Sequence, residues 1–221
     1  MRYLGLALFA EGKTDYRFLS PVLQRLCEDL CLTHSRQQVE ISEVSGIDAP
    51  HTARGEAREE RIMAAATGAA GSWNILFIHS DGAGDPHAAL ENLVEPAMRR
   101  LRKGFLPKAQ AVPVIPVRET ESWLLSDGDA LREVFGTRMT DFELGLPVGG
   151  AAVEAVLDPK QALKSAFAAT KLSPRRARAG TAALLNPLGE RIGLSRLREL
   201  ASFQSLESTL SAALTDLGIF D

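Results

Sequence analysis

The chain has 221 residues, 45% apolar and 24% charged, with a formal net charge of −3 at neutral pH. That suits one large globular domain, or a domain with an appendage, with a sizeable core. No apolar run approaches the ~20 residues of a membrane span, and the charge gives no whole-molecule attraction to nucleic acid, so a polyanion would have to meet a local basic patch.

Residues 2 to 10 are short and continuously apolar, the pattern of a strand buried on both faces. Glu11 ends that run too early for a secretory leader, so a cytoplasmic protein is expected. Thr14 or Asp15 is placed to cap the next helix, where Phe18, Leu19, Val22, Leu23, Leu26 and Leu30 keep a 3-4 spacing. Pro21 either marks a later start or kinks it. Cys27 and Cys31 share its face and read as two buried thiols in a reducing compartment. Val39 to Val44 alternates apolar and polar, as an edge or half-buried strand does. Residues 45 to 58 read as a mobile loop, Glu59 to Ala70 as a helix and Trp73 to Ile78 as a buried strand. Pro86 to Lys103 reads as a helix, residues 111 to 117 as a strand, and Ser122 to Leu125 as a short helix.

Beyond residue 126 no buried strand is expected. Helices are expected at Asp129 to Phe135, Pro159 to Thr170, Arg175 to Leu185 and Leu194 to Gly218, with loops or junctions at Gly145 to Gly150 and Ser173 to Arg178. The β-α-β-α-β order of the first part predicts an α/β fold with a parallel-rich sheet flanked by helices. Residues 1–127 form that α/β domain in this reading. Residues 128–221 form a C-terminal helical extension packed on it.

Three of the apolar runs end in acid: Glu11-Gly12-Lys13-Thr14-Asp15, His79-Ser80-Asp81-Gly82-Ala83-Gly84-Asp85, and Arg118-Glu119-Thr120-Glu121-Ser122-Trp123. Ligands of open α/β sheets bind beyond the carboxyl ends of the strands, so neighbouring strands would bring these carboxylates to one point. Carboxylates crowded together repel, and a hard divalent cation with oxygen ligands relieves them. A Mg²⁺ or Mn²⁺ site is therefore expected. Capping accounts for Thr14 and Asp15 but not for Glu11. His79 reads as structural. Glu119 and Glu121 share a face if the segment is still extended, and Glu121, beside Trp123, is the better ligand candidate. Lys160 is a candidate for stabilising phosphate charge, and Arg175, Arg176 and Arg178 for contacting phosphates.

Together these motifs resemble the TOPRIM domain, the fold shared by topoisomerases, primases, recombination-mediator proteins and the overcoming-lysogenization-defect (OLD) nucleases. Its pattern is a Glu-Gly strand end followed, after a βα unit, by an Asp-x-Asp strand end, here Glu11-Gly12 and Asp81. The closer likeness is to a little-characterised TOPRIM-like bacterial family often encoded beside an AAA-type ATPase. It runs through Glu11 to Asp15, His79-Ser80-Asp81, Arg118 to Asp127, Asp158-Pro159-Lys160 and Ala201-Ser202-Phe203. The second aspartate of Asp-x-Asp would fall at position 83, which is Ala83. Asp85 takes the third place of an extended Asp-x-Asp-x-Asp pattern, which leaves open whether one metal binds or two.

The resemblance implies a metal-dependent nuclease acting on DNA or RNA, in defence against phage or plasmids. Glu11, Asp81 and Asp85 would hold Mg²⁺ or Mn²⁺, helped by Asp15, Glu119 and Glu121. Glu119 or Glu11 would be the general base, and Lys160 would add positive charge at the phosphate. A second reading, favoured by Ala83, is a non-catalytic TOPRIM-like subunit that binds a partner such as an AAA-type ATPase, or nucleic acid. A third is a nucleotidyl or phosphoryl transferase.

Overall fold

Four strands form the central layer of the computed structural model, which describes residues 1–53, 55–105, 108–170, 178 and 180–220. They are β1 (Arg2–Phe9), β2 (Val39–Gly46), β3 (Ile75–His79) and β4 (Gln110–Val114). All pair in parallel, in the order β2-β1-β3-β4. The register sets Leu8 beside Phe77, and Phe77 beside Val112. Every residue of β3 is buried, as expected of a parallel strand covered on both faces. β2 lies at the edge and is half exposed, as its alternation predicts.

Alternate residues feed two cores. Leu4, Leu6 and Leu8, with Ile75, Phe77, Val112 and Val114, face α1 (Lys13–His34) and the C-terminal helices. Ala7, Phe9, Leu76 and Ile78 face the other way, onto α2 (Arg58–Gly68) and onto the helix that follows β3. Each buried Leu or Phe contributes roughly 1.5–3 kcal/mol to the fold. The fold is thus α/β, with helices on both faces of the sheet and further helices at its C-terminal end.

The chain runs from β1 outward to β2, then crosses back to β3 on the other side of β1. Its two crossovers therefore diverge between β1 and β3. In such sheets the crevice beyond those carboxyl ends is where ligands sit.

Local details differ from the sequence expectations for physical reasons. Helix α1 opens at Lys13 with Gly12 as its cap residue, and Thr14 makes no capping bond. It runs through Pro21 to His34 and passes close to Gly189, where a Cβ would meet Phe18 and Pro21. Residues 45–58 are not loop throughout: β2 continues to Gly46, and a 3₁₀ turn covers His51–Ala53. The helix after β3 has three parts: α3 (Pro86–Ala89), a π segment (Leu90–Val94) and α4 (Glu95–Phe105). Pro96 explains the π register, since its ring would collide with the Asn92 carbonyl in a regular α-turn.

Among the described residues, regular structure after β4 is entirely helical. It comprises α5 (Glu121–Leu124), α6 (Gly128–Phe135), α7 (Asp141–Leu144), α8 (Gly150–Glu154), α9 (Pro159–Ala169), a 3₁₀ turn (Thr181–Leu184), α10 (Leu185–Arg191), α11 (Leu194–Leu197) and α12 (Ala201–Asp216). The single helix expected at Leu194 to Gly218 is thus two, and α7 and α8 are short helices that were not expected; they flank the junction expected at Gly145 to Gly150, of which only Gly150 is helical. Of the helix expected at Arg175 to Leu185, Arg175, Arg176 and residues 177 and 179 lie outside the described residues, as does nearly all of the loop expected at Ser173 to Arg178; Arg178 is exposed, and Thr181–Leu184 forms a 3₁₀ turn rather than an α-helix. Helix α12 packs on β4, and α10 on α1. Cys27 and Cys31 are free and buried, as expected, and burial raises both thiol pKa values, that of Cys31 to about 11.

Candidate functional site

Glu11 follows the end of β1, and Ser80 and Asp81 follow the end of β3, so the switch between crossovers falls between them. Ser80 Oγ donates to Glu11 Oε1 at 3.0 Å, joining the two strand ends directly. Arg58, the first residue of α2, reaches the same oxygen with Nη1 at 2.8 Å. Its Nη2 donates to the His79 carbonyl at 2.7 Å and its Nε to the Leu93 carbonyl at 3.0 Å. The guanidinium carbon lies 5.9 Å from the Phe9 ring centroid.

His79 is fully buried beneath the acids. Its Nε2 lies 3.0 Å from Thr120 Oγ1 and 3.5 Å from Asp81 Oδ1. Its Nδ1 is 3.9 Å from Asp15 Oδ2, beyond hydrogen-bond reach. Two buried polar atoms lack a hydrogen-bond partner among the described residues: His79 Nδ1 and Asp81 Oδ1. Buried polar groups are ordinarily satisfied, by protein or by water, so these two atoms single out the surroundings of His79 and Asp81.

Asp15 Oδ2 accepts the Gly12 N–H at 2.9 Å, so this carboxylate caps α1 while facing the cluster. Burial pushes its carboxyl above the ordinary aspartate value, and Asp81 adds to the push; His79, the Gly12 N–H and Thr120 oppose it. Burial likewise raises the Glu121 carboxyl, helped by Glu119 and Asp15 and opposed by Lys160. Lys160, on the first turn of α9, places Nζ 3.6 Å from Glu121 Oε1 and 3.8 Å from Glu119 Oε1. Glu121 raises the lysine in return, with Glu119 and Asp81 contributing. Glu11, Asp15, Asp81, Glu119, Glu121 and Lys160 therefore surround the carboxyl end of the sheet.

Asp85 is placed differently. It is exposed, and its Oδ1 accepts the Ala88 N–H at 2.9 Å, so the carboxylate caps α3. Between Asp81 and Asp85 the chain turns beyond the end of β3 yet stays bonded to the segment after β4, with Gly82 N donating to Pro116 O, Ala83 N to Arg118 O and Gly84 N to Val117 O. A Cβ at Gly82 would press into the carbonyls of Pro116 and Val117. Ala83 takes a left-handed conformation, φ 49°, unusual for a residue with a Cβ. Among the described residues, no three His, Cys, Asp or Glu side chains stand close enough to form a ready-made metal cage.

The C-terminal helices hold the third acid segment in place. Trp123 is fully buried; its Nε1 donates to Ser202 Oγ at 2.9 Å, and its ring meets Phe203 edge-on at 5.2 Å. Glu154 in turn accepts the backbone N–H groups of Ala201 and Ser202, capping α12. Asp127 caps α6 and accepts the Gly193 N–H at 2.8 Å.

Clefts open on both sides of the cluster. One, of about 420 Å³, is lined by Glu11, Lys13, Tyr16, Asp48, His51 and Arg61 among others. Another, of about 370 Å³, is lined by Glu119, Asp158, Lys160 and Lys164. A larger depression, about 580 Å³, lies at the end of α1 and the start of β2, at the opposite ends of the strands, and holds none of the cluster. Sequence reading set His79 aside and missed Arg58, Ser80 and Thr120. The signal available for His79 was its place as the last residue of a wholly apolar strand; Arg58 offered none.

A family model described as a domain of unknown function (DUF4276) matches residues 10–211, nearly the whole chain. No curated protein and no solved structure is a significant match.

Proposed function

Since the chain belongs to this family of unknown function, DUF4276, its site must supply the reading, and we propose a metal-dependent nuclease of TOPRIM-like kind that cleaves phosphodiester bonds in DNA or RNA. The observation that carries it is the buried, unpartnered Asp81 Oδ1 at the meeting point of acids from three strand ends. The donors are carboxylate oxygens, the set preferred by Mg²⁺ and Mn²⁺. Burial and mutual repulsion disfavour the ionised forms of Asp15 and Glu121, a tension that a divalent cation would relieve. Glu11, Asp15, Asp81 and Glu121 would hold it, with Glu119 at the rim. Asp85 keeps its helix-capping role in this reading.

The chemistry such a cation supplies is a nucleophilic water and neutralisation of phosphoryl charge. The chain's own part is positional and electrostatic. Lys160 offers positive charge to a phosphate beside Glu119 and Glu121. Glu119 is better placed than Glu11 to take the proton of the attacking water, because Glu11 Oε1 already accepts from both Ser80 and Arg58. The water oxygen would bond to phosphorus as its proton passes to Glu119, the bond to the leaving oxygen would break, and that oxygen would take a proton from solvent. A role in defence against phage or plasmids follows from the TOPRIM likeness alone, and a reducing, cytoplasmic setting from the two free buried thiols.

A second reading is a non-catalytic subunit that binds a partner, such as an AAA-type ATPase. Ala83 at the place of the second aspartate favours it, as does the lack of a closed ligand set among the described residues. No helix among the described residues is long and apolar enough to cross a membrane. Calorimetric titration of Mn²⁺ and Mg²⁺ into wild type and Asp81→Ala, with plasmid DNA and single-stranded RNA incubated in parallel, separates the two. The nuclease requires saturable binding and cleavage, both lost in the variant; wild type that neither binds nor cleaves leaves the partner-binding subunit.

A further inference from the structure

We infer that Arg58 and Ser80 form a clamp that aims Glu11 at the bound cation, with Arg58 a positioning residue rather than a contact to the substrate. The inference rests on the metal-centre reading above and extends it to residues outside the acid set.

Both donors converge on one atom. Ser80 Oγ and Arg58 Nη1 meet Glu11 Oε1 at 3.0 and 2.8 Å, while Oε2 has no partner among the described residues. A carboxylate gripped by a single oxygen has its rotation fixed and its second oxygen available. The grip also comes from both sides of the switch point, since Ser80 follows β3 and Arg58 begins α2. Outer partners of this kind orient ligating groups in many metal centres.

Arg58 is itself immobilised. Each nitrogen of its planar fork has an acceptor: Glu11 for Nη1, the His79 carbonyl for Nη2 and the Leu93 carbonyl for Nε. Leu93 lies in the π segment whose register Pro96 explains. The Arg58 side chain is mostly buried, 20% exposed. A phosphate-binding arginine offers a free pair of N–H groups to phosphate oxygens; here three of the five N–H groups, one on each nitrogen, are already engaged. Lysine has no such fork, so Arg58→Lys would keep charge near Glu11 yet lose at least two of the three anchors.

The test is Mn²⁺ titration calorimetry on wild type, Arg58→Gln, Arg58→Lys, Ser80→Ala and the double variant Arg58→Gln/Ser80→Ala. Thermal melts, and cleavage kinetics on the DNA or RNA that wild type cleaves, accompany it. Arg58→Gln and Ser80→Ala are each expected to weaken Mn²⁺ about 10-fold. The double variant should lose less than the product of the two, as parts of one clamp do. Saturating Mn²⁺ should restore kcat, with KM for nucleic acid unchanged and Arg58→Lys rescuing little. Unchanged Mn²⁺ affinity with a raised KM and a shallower salt dependence would make Arg58 a phosphate contact and overturn the clamp. A lowered melting temperature with wild-type Mn²⁺ affinity would reduce it to a brace, which also overturns it. Ser80→Ala removes only a hydroxyl and carries the test if the arginine variants fail to fold. Wild type that binds no Mn²⁺ defeats the metal reading itself, a result distinct from wild type that binds with indifferent variants.

Discussion

The indole N–H of Trp123 donates to Ser202 Oγ across 2.9 Å, tying the acid-bearing turn after β4 to the start of the last helix. Both residues are buried, so Ser202→Ala leaves a donor without an acceptor, at a cost of about 1–3 kcal/mol. The expected outcome is a lower urea midpoint with an unchanged slope. Because Glu121 lies two residues from the indole, Mn²⁺ affinity should fall as well.

Asp15 works against the fold in the absence of a cation. Its folded-state pKa is raised above 3.8 by burial first, with Asp81 adding. A raised carboxyl contributes stability that is full below pH 3.8 and is lost as pH rises through the folded value. Asp15→Asn keeps an acceptor for the Gly12 N–H and removes the charge. With chelator present at pH 7 the variant should melt above wild type, by on the order of 2–4 °C for each kcal/mol relieved. The gap should close below pH 3.8, and saturating Mg²⁺ should reverse the ranking at pH 7.

Neighbouring positions in the glycine-rich turn should respond with opposite signs. Gly82→Ala drives a methyl into the carbonyls of Pro116 and Val117 and should destabilise by several kcal/mol or displace the turn. Ala83→Gly relieves a left-handed residue and should stabilise by about 1 kcal/mol. Chemical denaturation of the two variants beside wild type checks both signs.

Lys160 tests the electrostatic half of the proposed chemistry. It is half exposed, so its ion pairs with Glu119 and Glu121 add little to stability. Lys160→Ala should leave the melting temperature within about 2 °C of wild type while slowing nucleic-acid cleavage by roughly 10²-fold. Equal cleavage rates would remove Lys160 from the mechanism.

Much of the sheet could be read before the fold was known, because Leu4 to Ala10 and Ile75 to Ile78 are covered on both faces and so are apolar without interruption. The acids at their ends stood out against that background. Asp85 carried two signals at once: its charge beside Asp81, and its place before Pro86. Asp158-Pro159 repeats the second signal, and both aspartates cap the helices that follow. Proline has no N–H to lose at the first helical position, so Asp-Pro marks a helix start. Arg58 could not be read because its role depends on α2 folding back over the end of β1, a contact spanning 47 residues that no local pattern encodes. His79 was set aside as structural although it is the one polar residue of the strand that made Ile75 to Ile78 legible. The break between α11 and α12 was missed because Leu200, the cap residue, continues the apolar spacing.

The bond between Trp123 and Ser202 also orders events in time. It joins residues 79 positions apart in the chain, so a ribosome delivers the acids of all three strand ends well before it delivers the support of the last. A nascent chain halted between them carries the carboxylates without the indole's anchor. The turn after β4 therefore gains its anchor only once residues some 79 positions further along have been made.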